Sequence, residues 1–172
     1  MKNSETFKVT TPSEREVAIT RVFDAPRTLV FDALTKPELL KRWLLGPPGN
    51  SMPICETDLR VGGGYRWVWR NDKDGKEMGV RGVFREIIPP ARLVATEKFD
   101  VAWYPGEATV TQSLAEEKGK TRLMLTVKYE SKEARDTVLK TGMEQGIAAS
   151  YDRLEEVLAS QSTQPTEKRA KA

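Results

Sequence analysis

The sequence contains no histidine and a single cysteine, Cys55. Without histidine there is no Ser-His-Asp or Cys-His nucleophile, no His-bearing zinc site and no imidazole acid or base. One thiol cannot close an intramolecular disulfide or build a thiolate metal cluster. No metal, no cofactor and no catalytic constellation is therefore expected, and any proton transfer would fall to carboxylates, Tyr or Lys. Excess charge is also scarce. The formal net charge is +3, and Lys168, Arg169 and Lys171 against Glu167 supply +2 of it from the C-terminal tail. That balance gives little support to nucleic-acid binding. No apolar run approaches the roughly 20 residues of a membrane helix, and the opening MKNSETFKVTTPSE has no apolar centre like that of a signal peptide. A cytoplasmic location is the default expectation.

What is present fits one soluble domain: 172 residues, 38% hydrophobic and 31% charged. Residues 1–14 form a polar lead-in, expected to be flexible, and 161–172 a polar tail, expected to be disordered. Between them, Glu16–Asp24 alternates as a strand, with Val17, Ile19 and Phe23 on one side. Two short helices follow, one opened by Asp24-Ala25-Pro26 and one over Glu38–Leu45. After the breaker-rich loop Gly46–Pro53 come a strand over Ile54–Arg60, an aromatic strand carrying Tyr65, Trp67 and Trp69, and a hairpin turn at Asn71–Gly75. Further strands span Met78–Ile88, Arg92–Asp100, Glu107–Ala115 and Thr121–Glu130. Ser131 caps a short helix through Leu139.

The last segment, Thr141–Leu158, places Met143, Ile147, Leu154 and Leu158 on one helical face, with Thr141 and Glu144 spaced as a capping box. Its first half is rich in small residues (Gly142, Gly146, Ala148, Ala149, Ser150), whereas Leu154, Val157 and Leu158 fill its second. A sheet packed on this helix would be plugged at one end and could leave room at the other. Hairpin strands closed by a helix indicate an α+β domain with an antiparallel sheet of six to seven strands.

Three glycine-bearing motifs read as turns. Gly62-Gly63-Gly64 precedes a strand, whereas nucleotide loops open a helix. Gly119-Lys120-Thr121 ends like a P-loop, but residue 114 is Leu where its first Gly belongs. In Asp72-Lys73-Asp74-Gly75 the glycine arrives too early for a calcium loop. Cys55 reads as a small apolar strand residue.

Ile19–Pro26, Trp43, Asp58–Gly63, Gly82–Ile87, Pro89–Leu93, and Gly142-Met143 through Gly146 to Asp152–Leu154 occur in an order and spacing that resemble activator-of-heat-shock-protein-90-ATPase-like domains, within the START-like (SRPBCC) superfamily. The similarity covers roughly residues 15–160. It implies a helix-grip fold, with an antiparallel sheet curled around a long C-terminal helix and a cavity between them. Chaperone-stimulating relatives carry a further N-terminal domain; with about 14 residues before the first strand, that module is not expected here.

The expected function is the binding of a small hydrophobic or amphipathic molecule in that cavity. The candidate ligand-binding residues are Trp43, Tyr65, Trp67, Trp69, Phe84, Glu97, Phe99, Trp103, Met143, Gly146 and Ile147, with Trp103 as a lid. The competing reading is that the aromatics simply fill a core. Glu97, alternating with Ala95 and Phe99, is the one acid candidate, because a buried carboxyl has a raised pKa. Asp58, Arg60, Glu86 and Arg92 read rather as structural ion pairs. The alternatives are a cyclase- or dehydratase-type enzyme in the same cavity, or a chaperone-associated interaction domain. A homodimer is left open.

Overall fold

A computed structural model describes residues 6–101 and 104–162. Eight strands form one antiparallel sheet: β1 Lys8–Thr10, β2 Glu16–Phe23, β3 Asn50–Thr57, β4 Gly64–Asn71, β5 Glu77–Ile88, β6 Arg92–Phe99, β7 Ala108–Glu117 and β8 Lys120–Lys128. Their order across the sheet is β1-β2-β8-β7-β6-β5-β4-β3. Helices α1 (Arg27–Thr35) and α2 (Pro37–Trp43) join β2 to β3, and α3 (Lys132–Leu139) and α4 (Met143–Ser162) close the chain. The architecture is α+β and matches the helix-grip arrangement, with one strand more than the upper expectation. That strand is β1, which lies in the lead-in and pairs with β2 through Lys8↔Thr20 and Thr10↔Ala18.

Period-two alternation decides which side chains face α4. Directly opposed residues share a face, so the rows Tyr65↔Gly82, Trp67↔Val80↔Phe99, Ala95↔Val110↔Val127 and Gln112↔Leu125↔Ile19 all present to the inner side. At Gly82 the Tyr65 ring crosses so closely that an added Cβ would meet the ring and the Thr96 carbonyl. The glycine is what lets Tyr65 lie flat and donate its hydroxyl to Thr96 O at 2.6 Å. The β7–β8 turn uses Lys118 (φ 53°) and Gly119 (φ 76°), two consecutive left-handed residues as tight hairpins of this hand require.

Helix α4, 20 residues and about 30 Å long, is buried along its C-terminal half. Leu154 is fully inaccessible, and Tyr151, Val157 and Leu158 pack with Phe23, Phe31, Leu34 and Trp43 in the main core. Complete burial of a leucine contributes about 2 kcal/mol. Arg21 from β2 also reaches this half. It is 1% exposed, pairs with Asp152 at 2.9 Å and Glu155 at 3.1 Å, and stands over the Phe23 ring.

Three local expectations are corrected. Strand β3 begins at Asn50 rather than Ile54, because Pro53, unable to donate a ladder hydrogen bond, sits at the register shift between Ser51 and Ile54 on an edge strand. Thr141 does not form a capping box: its hydroxyl donates to the Val138 carbonyl at 2.6 Å, and α4 starts at Met143. Residues 58–63 are loop rather than strand end. Ser131 caps α3 as expected, accepting from Ala134 N at 3.1 Å.

Candidate functional site

The N-terminal half of α4 does not fill the curve of the sheet. Between them lies a cavity of about 530 Å³, within the range of small-molecule sites. From α4 it is lined by Met143, Gly146, Ile147, Ser150 and Tyr151; from the sheet by Tyr65, Trp67, Trp69, Phe84, Glu97 and Phe99; and from α2 by Trp43. The sheet aromatics form a continuous wall. Tyr65 and Trp67 ring centroids are 4.5 Å apart, Tyr65 and Phe84 5.7 Å, and Trp67 and Trp69 6.3 Å. The i,i+2 spacing along β4 produces the first and last of these contacts, and the β4–β5 cross-strand neighbourhood the Tyr65–Phe84 one. Exposed lining residues Pro47, Asn71, Lys76, Glu77, Met78 and Gly142 mark where the cavity meets solvent.

The segment from Leu44 to Asn50 straps one side of this mouth. Trp69 Nε1 donates to Leu44 O at 2.6 Å. Gly46 is held from both sides, its N–H donating to Ser150 Oγ at 2.8 Å and its carbonyl accepting from Arg153 at 2.6 Å. Its φ of 67° lies in the left-handed region that glycine adopts without penalty.

The charged group on the inner wall is Glu97, half-buried. Burial pushes its carboxyl up to about 7, against a smaller lowering by the Tyr104 hydroxyl that donates to Oε2 at 3.4 Å. Tyr104 in turn meets Tyr129 edge-on with centroids 5.1 Å apart. Burial, with the Glu97 charge beside it, drives the hydroxyls of Tyr65, Tyr104 and Tyr129 upward, so all three are neutral donors at ordinary pH. Trp67 Nε1 and Thr57 Oγ1 are buried without a hydrogen-bond partner among the described residues.

Residues 24–159 match the family described as Activator of Hsp90 ATPase homolog 1-like protein. The chain belongs to that family. Among solved structures it is similar to a protein from Rhodobacter sphaeroides, at 32% identity over 90% of this chain and 99% of that one, with a TM-score of 0.84. A protein from Nitrosomonas europaea follows at 27% identity over 90% and 100%, TM-score 0.78. The AHSA1 protein from Silicibacter pomeroyi, 23% identical over 85% and 99% with a TM-score of 0.67, shares the fold. No curated protein matches the chain.

Ten of the eleven candidate residues of this Activator of Hsp90 ATPase homolog 1-like chain border the one cavity; Trp103 lies outside the described residues. Asp58–Arg60 and Glu86–Arg92 are exposed ion pairs away from it, at 2.9 and 3.4 Å. Sequence reasoning missed Tyr104, Tyr129 and Gln112, which also line the cavity, and the Leu44–Asn50 strap. Tyr129 was within reach of the sequence, since it continues the alternation Leu123, Leu125, Val127. Among the described residues, no group of three or more acidic, Cys or His side chains is placed to hold a metal ion.

Proposed function

We propose that this protein binds a small hydrophobic or amphipathic molecule in the cavity between the sheet and α4. The observation that carries this reading is the conjunction of about 530 Å³ of space with a wall of Tyr65, Trp67, Trp69, Phe84 and Phe99 at the half of α4 that lacks bulk. A core that only needed filling would place large side chains at residues 146 and 150, where Gly and Ser stand. Binding to the native state must raise thermal stability. An apolar ligand recovered by native mass spectrometry after incubation with a metabolite extract, and raising Tm when added back, is the expected result. Retention of nothing from such extracts, with no Tm shift from any apolar compound, overturns the proposal.

A second reading, an acid–base enzyme of the cyclase or dehydratase type, draws on Glu97, a carboxyl poised near neutrality in an apolar wall beside a tyrosine hydroxyl. It requires solvent deuterium to enter the α-carbons of a bound ketone such as 2-decanone faster with protein than without. A rate unchanged by Glu97→Gln sinks it.

A further inference from the structure

The cavity wall carries one charge away from its mouth among the described residues, and that charge is negative. Among the described lining residues, Lys76, Glu77 and Glu97 carry charge, and the first two are exposed at the mouth. Glu97 stands inside on β6, faced by Tyr65 from β4, Tyr104 from the segment before β7 and Tyr129 following β8. The field of Glu107 reaches Tyr65. Among the described residues, burial and the Tyr104 hydroxyl account for the shift of Glu97, with no cation beside it. That hydroxyl, donating to Oε2, is the protein donor that reaches the carboxyl among the described residues, and Oε1 takes none. Oε1 is also not sealed in, since the buried unpartnered atoms are Arg21 Nε, Thr57 Oγ1 and Trp67 Nε1.

A carboxylate in such a place is short of hydrogen-bond donors and has no counter-charge. Each missing donor to a desolvated charge is costly. Charge-assisted hydrogen bonds are roughly twice as strong as neutral ones. We infer that the ligand carries a hydrogen-bond donor seated on Glu97 Oε1, that a hydrophobic amine is preferred over the matching alcohol, and that the matching carboxylate is rejected. This rests on the ligand-binding reading and narrows it, since an apolar cavity alone would favour a fatty acid as readily as an amine of the same tail. The neutral tyrosine hydroxyls around Glu97 leave the amine as the cation that completes the site.

The test uses three compounds with one eight-carbon tail: octylamine, 1-octanol and sodium octanoate, titrated into the intact protein by calorimetry. At pH 8 the amine is expected to bind at least about tenfold more tightly than the alcohol, and the octanoate more weakly than either. Amine binding needs the ionised carboxyl, so affinity should rise with pH through about 7. With an amine that stays protonated over this range, lowering the pH from 8 to 5 weakens binding by up to about 90-fold, while the alcohol changes little. In Glu97→Gln the amine loses its advantage and its pH dependence, and octanoate binding improves. If that variant fails to fold, the wild-type pH series alone decides. Equal affinities for the three compounds, or octanoate binding best, overturn the inference while leaving the cavity a ligand site. No binding by any of them at either pH also overturns the inference, and overturns the ligand-binding reading as well only when the extracts likewise yield nothing.

Discussion

The two halves of α4 run through the same sheet, yet one is sealed and the other borders open space. At Leu154, Val157 and Leu158 the helix meets α1, α2 and the Phe23 end of β2, and nothing accessible remains. At Met143, Gly146 and Ile147 it borders the cavity, with the aromatic wall of the sheet across from it. The difference teaches that cavity and core here are set by residue size along one helix rather than by separate elements. Stability is concentrated at one end and chemical opportunity at the other.

Substitutions break or sharpen that contrast. The largest effect is expected from Leu154→Ala, which deletes a fully buried side chain and should cost about 2–5 kcal/mol in urea unfolding. A loss under 1 kcal/mol would mean that this half is not the packed one. Arg21→Met comes next. It removes the guanidinium that Asp152 and Glu155 share, and because these partners are 36% and 21% exposed the expected cost is about 1–3 kcal/mol. Paired with Asp152→Asn and Glu155→Gln in one chain, the cost should shrink.

The cavity half gives its signal through pH. A carboxyl whose pKa is raised on folding binds more protons in the native state, so its contribution to stability is full below about 4.5 and is lost as pH rises through about 7. Wild type should lose about 1–3 kcal/mol over that window relative to Glu97→Gln. Parallel curves for the two proteins would show that Glu97 is solvated. The smallest effect belongs to Gly146→Ala. The new methyl would approach nothing closer than Pro47 Cδ at 3.7 Å, and alanine favours helix. It should stabilise by about 0.5–1 kcal/mol while weakening ligands that use that space. Destabilisation would mean that the two walls already touch there.

The contrast between the halves was readable from Gly146 against Leu154, because helical spacing is local and small residues are visible as such. The aromatic wall was readable for the same reason, through alternation on β4. The polar wall was not. Tyr104 comes to Glu97 from an irregular segment before β7 that leaves no periodic trace, and although Tyr129 continues the β8 alternation, only strand order brings it beside them. Arg21 illustrates a different blindness. It falls on the apolar side of β2 together with Ile19 and Phe23, and only its distant partners on α4 explain why a charge is tolerated there. The capping-box spacing at Thr141 misled because a hydroxyl can as well donate back to the preceding turn. β3 started earlier than its sequence suggested because a proline on an edge strand interrupts the ladder without ending it.

Arg21 bears on how long the open half can stay open. Two carboxylates three residues apart on α4 close on one guanidinium from β2, so neither sliding the helix along its axis nor rolling it about that axis keeps both contacts. Such small movements are what would bring the small-residue half of α4 closer to the sheet. Here the wall is pinned from the opposite end of its own helix, so the spacing between Gly146 and the sheet is set at Arg21.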